Sequence, residues 1–138
     1  METRRRDGSN CFVCGPENPD GMQLQFFLDG DVCCGDFTPA PHMIGYDNLV
    51  HGGIIFAVLD DAMANWLFLK GVMAHTAKCE IRYREPVHLG CTLRLEATAT
   101  AVKRRMVTME GRAIRMDDNK IVAETTAAFM IVEGRLPL

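Results

Sequence analysis

The stretch "NLVHGGIIFAVLDDAMANWLFLKG", residues 48–71, decides the fold. Between Gly53 and Lys70 every residue is apolar except Asp60, Asp61 and Asn65. The run is rich in Ala, Leu and Met, contains no proline and is stopped by Gly71. It therefore predicts a helix of about five turns over Gly52–Leu69. Because it is apolar nearly all round, the helix is expected to be buried and wrapped by other structure. Its Phe56–Leu69 part is too short and too acidic at its centre to span a bilayer.

Strand-like runs lie on both sides. Met22–Leu28 and Val32–Phe37 are joined at Asp29-Gly30, a hairpin signal. A loop with two prolines follows and keeps the chain irregular as far as the helix. After it, "AKCEIRYRE" (77–85) alternates, with Ala77, Cys79, Ile81 and Tyr83 on one face and Lys78, Glu80, Arg82 and Arg84 on the other. "CTLRLEATATAV" (91–102), "MVTMEGRAIRM" (106–116) and "IVAETTAAFMIVE" (121–133) continue through short turns, the pattern of an antiparallel meander. One long buried helix with about six antiparallel strands gives an α+β class, the sheet wrapped around the helix.

The 138 residues are 48% hydrophobic and show no repeat or linker. A single globular domain over residues 1–138 is expected, burying about 70% of its unfolded surface. The net charge of -3 creates no field for nucleic acid or an anionic membrane. The opening "METRRRDGSN", residues 1–10, leads into no apolar segment and reads as a flexible tail, so a cytoplasmic protein with reduced thiols is expected. Cys11 and Cys14 offer two ligands where a closed zinc site needs four, and no second such pair follows. No metal and no cofactor are expected.

Two carboxylates in an apolar helix need a reason, since desolvating a charge costs several kcal/mol unless it is paired. Helical spacing gives Asp60 the neighbours Phe56, Ala57, Met63, Ala64 and Leu67, none of which can solvate it. Asp61 has Asn65 at i+4 as a partner. Asp60 is thus the candidate functional acid, its pKa raised by desolvation toward the range of a base. The plainer alternative is a paired carboxylate that holds a loop onto the helix. Gly52 and Gly53 offer the unpaired N–H groups of a helix start, the material of an oxyanion hole, or else only a tight entry into the helix. His51 frames that start. Gly53 and Asp60 lie about 10 Å apart along the axis, too far to act on one carbon. If both act on one substrate, they come from two chains of a homodimer.

"VHGG" with an acid nine residues after the histidine, in this order of elements, resembles the hotdog-fold thioesterases. "HGGIIFAVLDDAM" and "IRYREPVHLG" are most similar to the phenylacetic-acid-degradation-type acyl-CoA thioesterases, and the resemblance runs from about Cys11 to Glu133. It implies a hotdog fold and hydrolysis of an acyl-CoA to free acid and CoA. Asp60 would be the catalytic carboxylate, activating water or attacking the thioester, and Gly52 or Gly53 the oxyanion donor beside His51. The resemblance also implies a dimer or a dimer of dimers with acyl-CoA at the interface. Many members carry Asn or Gln six residues before the histidine, where this chain has Gly45, and Asn48 is the candidate substitute. Arg82 and Arg84, with Lys78, and the turn Lys103–Arg105 are candidates for the CoA phosphates, or else an ordinary solvated strand face and turn. Gly45 also keeps open a second function, an acyl-CoA-binding protein without catalysis.

Overall fold

The computed structural model describes residues 8–136. Strands β1 (Phe27–Asp29) and β2 (Val32–Phe37) precede helix α1 (Gly52–Phe68), and β3 (Met73–Tyr83), β4 (Leu93–Lys103), β5 (Met106–Arg115) and β6 (Lys120–Glu133) follow it. All pairings are antiparallel, in one six-stranded sheet of order β1-β2-β4-β5-β6-β3. The helix lies against the inner face of this sheet, the architecture that the sequence implies.

Ile55, Val58, Leu59, Ala62, Met63, Trp66 and Leu67 fill the buried side of α1. They meet Leu93, Leu95, Val107, Met109, Ala113, Ala127 and Phe129, inward residues of β4, β5 and β6, in one apolar core. Trp66 donates its indole N–H to the Asp31 carbonyl at 2.8 Å, and Lys70 sits over its ring and pairs with Asp31 at 3.0 Å. The C-terminal end of the helix is thereby fixed to the β1–β2 turn.

The wrapping is incomplete. Phe56, Ala57, Asp60, Ala64 and Phe68, at helical spacing, form a half-buried stripe that the sheet does not close over. The sequence expectation of burial all round is corrected here: one sheet covers one side of a helix, and the apolar remainder faces outward.

Two further expectations change. The run Met22–Leu28 enters the ladder only at Phe27, because the Met22 and Leu24 N–H groups bond to the Phe12 and Val13 carbonyls at 2.8 and 2.9 Å. Gln23 between them has φ 53, a left-handed residue that interrupts a strand. Of the tail expected at residues 1–10, residues 1–7 lie outside the described residues, and residues 8–10 are held. The Gly8 and Ser9 carbonyls accept from the Cys11 and Glu17 N–H groups, and the Asn10 carbonyl accepts from the Asn18 side chain. None of the six cysteines is in a disulfide, and no helix among the described residues is long and apolar enough to cross a membrane.

Candidate active site

Strand β3 carries the irregularity that builds the site. Its pairing with β6 runs Thr76↔Phe129, then Lys78↔Ala128 and Cys79↔Ala127, leaving Ala77 as an extra residue. A bulge of this kind shifts the alternation by one. Thr76 is therefore paired with inward-facing Phe129, and Ala77, which simple alternation puts on the inner face, is exposed.

On the helix side of the strand, though itself exposed, Thr76 donates its hydroxyl to Asp60 Oδ1 at 2.6 Å. The expectation that nothing solvates Asp60 holds for its own helix and fails for the strand across from it. Burial pushes the Asp60 carboxyl above the ordinary aspartate range, and the Thr76 hydrogen bond pulls it part of the way back. The result is a carboxylate in an apolar stripe with one neutral donor, which favours a proton acceptor.

At the start of the helix His51 is the N-cap, with extended backbone (φ -60, ψ 132). Its Nδ1 accepts the Gly53 N–H at 2.8 Å, so this ring nitrogen is unprotonated and the Gly53 amide is engaged. The Gly52 N–H makes no hydrogen bond among the described residues, which leaves it, of the two glycine amides, the candidate oxyanion donor. Tyr83, at the far end of β3, donates its hydroxyl to the Gly52 carbonyl at 2.7 Å. A cavity of about 230 Å³ opens here, lined by Val50, Gly52, Ile55, Tyr83 and Arg84 among others.

Tyr83 and Thr76 are the two site residues that sequence reasoning missed. Tyr83 was legible as sharing one strand face with Cys79 and Ile81 but not as a hydrogen-bond donor to the helix start. Thr76 was hidden by the bulge.

Gly45 lies against the histidine: a Cβ there would stand 3.6 Å from the His51 ring carbon Cδ2. That is ordinary van der Waals contact, and glycine places no side chain beside the ring. Asn48 has φ 62 in the turn Tyr46–Leu49, and its carbonyl accepts the Leu89 N–H at 3.0 Å. The left-handed backbone accounts for an asparagine there.

The basic candidates separate. Arg84 is paired with Glu124 at 2.7 Å, and Arg82 is exposed with no ion-pair partner among the described residues. Arg104 and Arg105, joined by Arg135, line a different cavity of about 540 Å³.

The second acid has a full set of contacts. Asn65, 7% exposed, donates to Asp61 Oδ2 at 2.9 Å, as the i+4 spacing predicts, and to Cys14 Sγ at 3.5 Å. Cys11 Sγ donates to Asp61 Oδ1 at 3.5 Å. Cys14 and Asn65 also line the wall of a cavity of about 750 Å³ that continues past Leu24, Phe26, Phe68 and Met73.

Comparison with known proteins bears on the family and the fold. The model of the thioesterase superfamily matches residues 47–122, from the loop before the helix into β6. Acyl-coenzyme A thioesterase THEM4 of Xenopus laevis is 28% identical over 95 residues, covering 68% of this chain and 42% of its own. The Bos taurus protein of the same name is 23% identical over 134 residues, covering 94% and 54%. The chain thus spans about half the length of these curated relatives. Among solved structures, a thioesterase superfamily protein superposes with a TM-score of 0.81 at 24% identity, covering 94% of this chain and 71% of that one. The PaaI protein of the E. coli phenylacetic acid degradation operon gives 0.74 at 20%, covering 83% of each chain. A Streptococcus mutans protein bound to acetyl CoA gives 0.74 at 18%, covering 82% and 91%. These likenesses identify the sheet on its single helix as the hotdog fold.

Proposed function

The chain belongs to the thioesterase superfamily, and we propose that it hydrolyses an acyl-CoA thioester to the free acid and CoA, with Asp60 as base or nucleophile and the Gly52 N–H as oxyanion donor. The observation that carries this reading is the Asp60 carboxylate, raised in pKa by burial and held, among the described residues, by the Thr76 hydroxyl in an apolar stripe of the helix. The acyl-CoA thioesterases and the CoA-bound hotdog protein among its relatives support the substrate class.

As a base, Asp60 takes a proton from water while the water oxygen bonds to the thioester carbon. Charge develops on the carbonyl oxygen, where a helix N-terminal amide is worth most. The C–S bond then breaks, and the proton passes to the departing CoA thiolate. As a nucleophile, Asp60 bonds to the thioester carbon and the C–S bond breaks to release CoA thiolate; water then opens the acyl anhydride, which frees the acid, regenerates the Asp60 carboxylate and supplies the thiolate's proton. The CoA phosphates need cations, and Arg104, Arg105 and Arg135 offer three on one cavity wall.

The site is completed by a second copy of the chain. Asp60 and Gly52 are eight residues apart, about 12 Å along the axis. β3 ends the sheet, with one edge unpaired among the described residues. Antiparallel pairing of two β3 edges about a two-fold axis near the strand midpoint brings the Thr76 end of one strand beside the Tyr83 end of the other. Asp60 of one chain then approaches the partner's Gly52.

The test is release of free thiol from acyl-CoAs that vary in chain length and include aryl substrates, with Asp60→Asn beside the parent chain. Turnover that needs Asp60 is the expected result. Tight binding of acyl-CoA with no turnover would instead favour a binding protein, the reading that the lack of a polar side chain at Gly45 beside His51 supports.

A further inference from the structure

We propose that Cys11, Cys14 and Asp61 form a site for one divalent cation of the zinc type, which fastens the N-terminal turn to helix α1. The ligand count that speaks against a metal in the sequence rests on two residues. Folding adds a third from 47 positions away: the two Sγ atoms and a carboxylate oxygen of Asp61 all lie within 4.8 Å of one another.

The spacing suits the ion. With Zn–S near 2.3 Å and Zn–O near 2.1 Å at tetrahedral angles, the sulfur–oxygen edge is about 3.6 Å. Cys11 Sγ stands 3.5 Å from Asp61 Oδ1. Thiolates select zinc-type ions over calcium or magnesium, which require oxygen.

The surroundings also suit it. The chain reverses tightly over Cys11–Gly15, with the Gly15 N–H on the Cys11 carbonyl at 2.9 Å. A Cβ at Gly15 would stand 2.2 Å from the Cys11 nitrogen, so the turn that aims both thiols at Asp61 requires glycine. Asn65 holds the other carboxylate oxygen and touches Cys14 Sγ, the outer contacts that orient metal ligands. Three protein ligands leave a fourth position for water. The cavity of about 750 Å³ that Cys14 and Asn65 line supplies an entry path.

The proposal is independent of the hydrolase reading and its test needs no substrate. The full chain, reduced and stripped with a chelator, is titrated with cobalt(II) and then zinc(II). One equivalent of cobalt should bind with thiolate-to-metal charge-transfer absorption, be displaced by zinc, and release about two protons as the thiols ionise. Cys11→Ser/Cys14→Ser should abolish the band, Asp61→Asn should weaken binding at least about tenfold, and Asn65→Ala should weaken it about 10–100-fold. Absence of the band in the parent chain at stoichiometric metal overturns the proposal, with no variant required. So does a band that survives in the double serine variant, which would place the metal on other thiols, or a Cys11–Cys14 disulfide in the protein as isolated.

Discussion

Thr76 and Tyr83 stand on the same strand and hold two different points of the same helix, Thr76 through the Asp60 carboxylate at 2.6 Å and Tyr83 through the Gly52 carbonyl at 2.7 Å. The proposed acid and the proposed oxyanion donor are therefore positioned by one element, β3, which is also the strand that ends the sheet. Movement of that strand would displace both together.

Asp60→Asn removes the proton acceptor and leaves an amide that can still accept from Thr76. Since a general base contributes typically 10²–10⁴-fold, kcat should fall by at least about two orders of magnitude with KM little changed. Stability should move the other way. The folded pKa of Asp60 lies above the unfolded value, so its contribution is present below the unfolded pKa and is lost as pH rises through the folded one. Ionised Asp60 thus costs stability at neutral pH. The variant should melt at or above the parent temperature at pH 7, with the advantage shrinking on acidification. Calorimetry and steady-state rates on the same samples check both, and a dead variant that also melts well below the parent would make Asp60 a structural group.

Thr76→Val removes the one hydrogen bond that lowers the Asp60 pKa. The acid limb of the kcat profile, where rate is lost as pH falls through the Asp60 pKa, should move to higher pH. Thr76→Ser should restore the parent profile. An unchanged limb in Thr76→Val would detach the titration from Asp60.

His51→Ala should cost about 0.5–2 kcal/mol, the usual loss on removing an N-cap acceptor. His51→Asn, which supplies another side-chain acceptor for the Gly53 N–H, should recover most of it. Denaturant melts of the three proteins decide whether the ring acts as a cap, and equal losses in both variants would speak for a different role.

If each site is shared between two chains, mixing Asp60→Asn with a chain blocked by Gly52→Val should regain activity. Random pairing makes half the dimers mixed, each with one intact site of two, so about a quarter of the parent activity is expected. A mixture as inactive as its components, or an active monomer in sedimentation, contradicts the shared site.

Much of this was legible because it repeats. The four later strands alternate, the helix is one unbroken run of strong helix formers, and a single chain displays both without reference to anything distant; Asn65 follows from Asp61 by helical spacing alone. Thr76 was not legible because an extra residue in a ladder exists only relative to the partner strand, and nothing in "HTAKCE" marks Ala77 as that residue. The short β1 has a similar cause. The hydrogen bonds that would extend it go to Phe12 and Val13, a turn whose position depends on the whole fold. The contact of Cys11 with Asp61 spans fifty positions and joins two segments that each look complete alone.

The edge of β3, unpaired among the described residues, bears on the newly made chain as much as on the finished protein. It presents open N–H and C=O groups along eleven residues, beside a helix stripe that carries Phe56 and Phe68. An edge of this kind also accepts the wrong strand. Lys78 and Arg82 on the outer face discourage that encounter without closing the edge. In the proposed dimer, pairing of the two edges is second order in chain concentration, so the vulnerable interval would lengthen as synthesis slows or the protein is diluted. Overproduction and starvation should therefore fail differently, the first by crowding unfolded chains and the second by leaving folded ones too long alone.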